Sequence, residues 1–326
     1  MFTRAAVPLP GPQAISMLEP VHIGGVTQWL SVRGVHRENP ILLMVHGGPG
    51  AAQIGFIRHF QALLEQHFVV VHWDQRGAGL SYSRAVKPGT MRIEQFVADA
   101  IAVTKHVQSQ LGQERVHLVG HSWGTLIGLL AVARAPELYR RYFGVSQVDS
   151  VVASERASYR ELQARASTAG DTRALQQLNR IGPPPWSRLA FERVHQQLVE
   201  QYSGGITRDG EMVKRMLRYL LTSKEYTLHD LWRFMRGQLF SMRHLKEETA
   251  NLVLSEVVTR VEVPTYFVMG EHDLMVPPAA AKPLFDQLGA PEKHWLMFGN
   301  SAHSPLWEQP ERFVELLRSE THKDHT

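Results

Sequence analysis

Short, uninterrupted apolar runs along the chain stop abruptly in clusters of polar residues and glycine. Residues 41–45 read ILLMV and run into HGGPG, and FVVVHWDQRG at 68–77, VHLVGHSWG at 116–124 and PTYFVMGEHD at 264–273 repeat the arrangement. Apolar runs without alternation are the mark of strands buried on both faces. Residues 23–33 also suit β-structure, and RYFGVSQV at 141–148 supplies a further strand. Between these lie segments of helical spacing, notably 93–111 and 125–135. Strand and helix in alternation predict an α/β fold, a mostly parallel sheet with helices on both faces. Ligands of such sheets bind beyond the carboxyl ends of the strands, so the polar loops are expected along one rim.

The alternation stops after residue 148 and resumes near Pro264. The stretch between reads as helical and amphipathic, for example at 226–245, with a turn at Pro183, Pro184 and Pro185 and a break at Gly204 and Gly205. It is expected to form an inserted helical cap, residues 149–254, on a core made of residues 1–148 and 255–326. Nothing before Pro264 reads as a linker, which disfavours an independent domain. Neither an internal repeat nor a low-complexity tract occurs.

A chain of 326 residues, 44% hydrophobic, suffices for one large core with a smaller appended unit. The net charge is only +4, and basic residues are scattered among acidic ones, so no nucleic-acid-binding stripe is expected. With no cysteine, disulfides, a thiol nucleophile and thiolate metal sites are excluded, and the chemistry must run on oxygen and nitrogen groups. Pro8, Pro10 and Pro12 interrupt the first apolar residues before a signal-peptide core can form, so the amino terminus reads as a loose arm. No apolar run is long enough for a transmembrane helix. These features predict a soluble, cytoplasmic protein that uses neither metal nor organic cofactor. Its partner is expected to be a small-molecule or short-peptide substrate, not nucleic acid or a membrane; its oligomeric state is left open.

Gly120-His121-Ser122-Trp123-Gly124 fits G-x-S-x-G, directly after a strand and directly before a helix. That context gives the motif its weight. Serine there occupies a sharp turn against which flanking side chains would collide, so glycines are needed on either side. Ser122 is the expected nucleophile; the competing role is a helix-capping serine. A serine hydroxyl needs a base, ordinarily a histidine oriented by a buried carboxylate. Asp273, after the strand YFVMG, and His303, after the strand HWLMFG, supply these in the order Ser122, Asp273, His303. His272 competes for the base and Asp149 for the acid. Backbone N–H groups of Gly48, in HGGPG, and of Trp123 are assigned to the oxyanion hole. A phosphate-cradling role for HGGPG is disfavoured because no Lys-Ser or Lys-Thr follows it.

Taken together, HGGPG, WDQRGAGLS, GHSWGT, GEHD and the late SAH make the chain resemble the proline iminopeptidase family of α/β-hydrolases. The resemblance spans both halves of the core and implies the same triad and oxyanion donors. It further implies a helical cap and hydrolysis of an amide bond next to a free amino or imino group, with Asp74, Gln75 and Arg76 shaping the rim. It departs in the cap, where proline-specific members carry an adjacent Trp-Glu pair that holds the substrate amine. Here the stretch reads Pro185-Trp186-Ser187-Arg188-Leu189-Ala190-Phe191-Glu192, leaving Glu192 as the substitute. The leading expectation is an aminopeptidase or aminoacyl-amide hydrolase acting through an acyl-enzyme. An esterase or lactonase on the same triad and a non-catalytic receptor are the alternatives.

Overall fold

Eight strands form one sheet: β1 (Ile15–Ile23), β2 (Val26–Gly34), β3 (Ile41–Val45), β4 (Val69–Asp74), β5 (Val116–His121), β6 (Tyr139–Val145), β7 (Thr265–Gly270) and β8 (Lys293–Phe298). The structure is a computed structural model and describes residues 4–186 and 188–322. The spatial order is β1-β2-β4-β3-β5-β6-β7-β8. β1 and β2 pair antiparallel, as do β2 and β4, and all other pairs are parallel. β3, β4, β5 and β7 are buried at every position, the reason each reads as an unbroken apolar run.

Alternate side chains of these strands feed two separate cores. Leu43, Val71, Leu118, Tyr142 and Phe267 pack with the helices Ile93–Leu111 and Trp123–Arg134. Leu42, Met44, Val70, Val119 and Val268 pack on the other face with Phe313 and Leu317 of the helix Pro310–His322. Because the central strands are parallel and in register, Val45 lies beside Gly120 and Gly120 beside Gly144, and the loops that follow them emerge on one rim. β6 ends at Val145, short of the expected 148, because Ser146 turns the chain at φ 49°. β1 lies at the sheet edge and only its last residue is buried, so its sequence shows no buried-strand pattern.

Five longer helices lie between β6 and β7: Val151–Thr168, Thr172–Ile181, Leu189–Gln201, Glu211–Leu221 and Leu228–Asn251. Their two stems are stitched together beside the sheet. Ser150 bridges Val253, and the Asp149 carboxylate accepts from the Ser255 N–H (2.8 Å) and hydroxyl (3.0 Å). The segment lies over the rim: Ser241 donates to the Gly77 carbonyl, Arg233 to the Tyr82 carbonyl, and Tyr226 to Asp74. The amino-terminal arm differs from the loose one expected. Arg4 makes two hydrogen bonds to Asp230 (2.7 and 2.8 Å), and the Val7 carbonyl accepts from Arg33 and Ser16, so the arm straps β1 and β2 to the helix Leu228–Asn251. Among the described residues no helix is long and apolar enough to cross a membrane.

Four buried histidines set a pH limit on this fold. Burial pulls His46 and His195 down to about 4, and His72 and His121 down to about 3. Each is neutral in the folded chain at pH 5 but protonated once unfolded, so the unfolded state binds more protons and stability falls as pH drops below about 6.5. Each fully buried histidine contributes roughly 2 kcal/mol to that fall between pH 7.5 and 5. His72 is the cleanest test, since neither of its ring nitrogens has a hydrogen-bond partner among the described residues. His72→Leu should match or exceed the wild type in urea stability at pH 7.5 and exceed it by about 2 kcal/mol at pH 5. An identical stability gap at the two pH values would refute this assignment.

Candidate active site

The turn at residues 120–124 shows why its flanking positions are glycine. A Cβ on Gly120 would lie 2.7 Å from the Gly124 carbonyl oxygen, and one on Gly124 only 2.1 Å from that of Val45. Strand, turn and helix therefore touch backbone to backbone. Ser122 between them has φ 54° and ψ −121°, a strained conformation for a side-chain-bearing residue. Its N–H donates to the Val145 carbonyl (3.0 Å), which holds the turn against β6. The side chain is half-buried at the carboxyl end of β5, ahead of the helix Trp123–Arg134.

His303 lies in the loop after β8 and is pinned from several sides. Its carbonyl accepts from His121 Nε2 (2.8 Å) and from the Ser146 hydroxyl (3.0 Å), so the residue before Ser122 holds it directly. Its N–H donates to Gly205 in the helical segment above the rim. His303 Nδ1 donates to Asp273 Oδ2 at 2.9 Å, which leaves Nε2 with the lone pair. The other Asp273 oxygen accepts from the N–H groups of Met275 and Val276, both at 2.8 Å. With His303 and Asp273 almost fully buried, three donors satisfy the carboxylate and fix the ring orientation.

The rival residues make other contacts. Asp149 spends its carboxylate on Ser255, in the stem of the helical segment. His272 is half-exposed, with its N–H donating to the Ser301 carbonyl.

The loop at residues 46–50 lies against the same turn: a Cβ on Gly47 would come 3.2 Å from the Ser122 Cβ. Gly48 has φ 125°, and a Cβ there would lie 2.4 Å from the Gly50 nitrogen, so only glycine fits. Trp123 is the first residue of its helix, where backbone N–H groups have no partner within the helix. Gln75 joins these two sources of N–H groups. Its side-chain oxygen accepts from the Trp123 indole (3.1 Å), and its amide nitrogen donates to the His46 carbonyl (2.8 Å). His46 Nδ1 donates to the Gly47 carbonyl while Nε2 accepts from the Gln75 N–H, an arrangement that requires the neutral ring and agrees with its lowered pKa. Asp74 accepts from the N–H groups of Gln53, Ile54 and Leu80 and from Tyr226, and burial lifts it to about 6. Arg76 pairs with Asp99 (2.8 Å) with both side chains fully buried, and also donates to the Gly24 carbonyl. The contacts of His46, Gln75, His121 and Ser146 were not foreseen from sequence. The first three lie within the motifs, but a motif does not show what its side chains reach.

Within the helical segment, Glu192 pairs with Lys246 at 2.5 Å. Glu155 lies beside both. Burial, and next the Glu192 charge, push its carboxyl above the usual range, with Lys246 opposing. Further glutamates of the helical segment are engaged: Glu161 with Arg165, Glu225 with Arg58, and Glu200 with the Ile206 N–H. Among the described residues no group of three or more His, Asp or Glu side chains could hold a metal ion.

Comparison with known proteins agrees with this architecture. A family model described as alpha/beta hydrolase fold matches residues 40–310. The probable aminopeptidase YbaC of Bacillus subtilis is 37% identical over 310 residues, covering 95% of this chain and 97% of that protein. A proline iminopeptidase of Clostridium botulinum is 24% identical over 289 residues, 87% of this chain and 90% of its own length. The crystal structure of the Mycobacterium smegmatis proline iminopeptidase superposes with a TM-score of 0.66 at 20% identity, over 94% of this chain and 98% of that one, a likeness of fold. With a family match across most of its length and a relative more than one-third identical from end to end, the chain is a hydrolase and a proline iminopeptidase-like member of the α/β-hydrolase family.

Proposed function

We propose that the protein is a serine aminopeptidase or aminoacyl-amide hydrolase that works through an acyl-enzyme on Ser122. The observation that carries the reading is the 2.9 Å bond from His303 Nδ1 to a fully satisfied Asp273, with the His303 carbonyl clamped by His121 next to Ser122. That bond leaves His303 Nε2 as the base. It takes the Ser122 proton as the oxygen attacks the substrate carbonyl, then delivers it to the departing amine; water repeats the cycle to free the acid. The N–H groups of Gly48 and Trp123 stabilise the oxyanion, and Gln75 holds their two loops at a constant separation.

The names of the relatives, probable aminopeptidase and proline iminopeptidase, support an amide substrate with a free amine. So does the group formed by Glu155, Glu192 and Lys246, which has two carboxylates for one cation. A substrate ammonium beside the pair would offset the burial and, next, the Glu192 charge that raise Glu155. Glu192 is already paired, so Glu155 is the stronger candidate for the amine contact.

Ser122→Ala should lower turnover by about a thousandfold or more while the fold persists, because residual catalysis would rest on the oxyanion hole and binding alone. A serine-directed phosphonate should add its mass to the wild type and not to the variant. Near-normal activity of Ser122→Ala would end the proposal.

Asp273→Asn should cost on the order of ten-thousand-fold in kcat through the wrong imidazole tautomer. Asp149→Asn should stay within about tenfold in kcat and lower thermal stability instead, since Asp149 closes the stem. The opposite ranking would move the triad acid to Asp149.

N-acetylation of an aminoacyl anilide should lower kcat/KM by at least about a hundredfold, roughly 2.7 kcal/mol of transition-state stabilisation. Glu155→Gln should penalise the free-amine substrate and spare the acetylated one, with Glu192→Gln the smaller effect. Equal rates on the two anilides would exclude an aminopeptidase and leave an esterase or lactonase.

A further inference from the structure

The helix Leu228–Asn251 has an outer face unlike the rest of the surface. Leu228, Trp232, Met235, Leu239 and Met242 are each between 50% and 74% exposed. Their spacing is four, three, four and three residues, which places all five within an arc of about 80°. So narrow an apolar seam is the pattern of one helix packing lengthwise on another, whereas an interfacial membrane helix presents a broader apolar face. Trp and Met, with Arg beside them, are also the residues enriched where proteins bind one another. The inner face of the helix is already spent, with Gly237 against the Gly77 carbonyl and Phe234, Ser241 and Leu245 buried, so the seam is held outward and rigid.

One flank of the seam is basic. His229, Arg236 and Arg243 follow it at seven-residue intervals and are exposed, and neither arginine has an ion-pair partner among the described residues. This charge argues against a second copy of the chain. Antiparallel self-pairing that matches the two seams would set Arg236 against Arg236 of the other copy and Arg243 against His229, while Glu247, the acid on that flank, lies beyond the end of the seam and meets neither arginine in that register. We propose that the seam is a docking site for an amphipathic helix of another protein, apolar along its own three-four stripe and acidic along the flank that meets Arg236 and Arg243. The proposal is independent of the catalytic reading.

The test uses the full chain and two synthetic helical peptides of about three heptads. Both carry leucine along the stripe; one has glutamate on the flank and the other lysine. Fluorescence anisotropy should show the glutamate peptide binding at least about tenfold more tightly, and less tightly as salt rises. Met235→Glu should abolish binding, and Arg236→Glu with Arg243→Glu should reverse the preference to the lysine peptide. Hydrolysis of an aminoacyl anilide should be unchanged in every variant. Equal binding of both peptides, or of neither, would overturn the proposal. A dimer in sedimentation velocity that Met235→Glu dissociates would give the face to a second copy. Binding to phosphatidylserine vesicles that the same variant loses would give it to a membrane.

Discussion

Around Ser122, strand and helix meet so closely that neither Gly120 nor Gly124 has room for a side chain. A Cβ on Gly124 would penetrate the Val45 carbonyl, and one on Gly120 would collide with the Gly124 carbonyl. This contact has to be maintained against the strain of a serine at φ 54°. Parallel pairing of β5 with β3 on one side and β6 on the other supplies the restraint, and the Ser122 N–H is tied to the end of β6. The rest of the rim is positioned relative to that turn. His121 reaches across to the loop of His303, Gly47 lies against Ser122, and Gln75 bonds the indole that follows it.

Histidine serves two opposed purposes on this rim. His46 and His121 are buried hydrogen-bonding parts, kept neutral by desolvation, and each bond they make requires one definite tautomer. Protonating either one would place a charge against groups already in use. His303 differs because its Nδ1 meets a carboxylate, which fixes the orientation of the ring. The surrounding structure thus keeps two rings near Ser122 neutral. It also makes acid unfavourable for the fold as a whole, since rings held neutral in the native chain accept protons on unfolding.

The helical segment between β6 and β7 touches several loops of the rim while remaining tied to the core at its base. Gly205 meets His303, Tyr226 meets Asp74, and Ser241 lies against Gly50 and Gly77. Asp149 and the arm at Arg4 fasten it at opposite places. Its inner surface therefore faces the rim, and its outer surface, with the seam from Leu228 to Met242, is exposed.

Much of the core was legible from residues alone. β3 coincides with the ILLMV run and one helix with residues 93–111, because burial on two faces, or along one stripe, imposes composition directly. The Ser122 turn was legible because its glycines answer a local steric demand. What tertiary structure decided are the contacts between motifs distant in the chain: Gln75 with Trp123, His121 with His303, Asp149 with Ser255, Glu155 beside Glu192 and Lys246. The edge strand β1 and the strap at Arg4 also escaped the sequence, the former because only its last residue is buried, the latter because its partner lies 226 residues away. Hydrophobic periodicity records how much of a residue is hidden from water. It carries no record of which polar group, arriving from elsewhere in the chain, will meet it there.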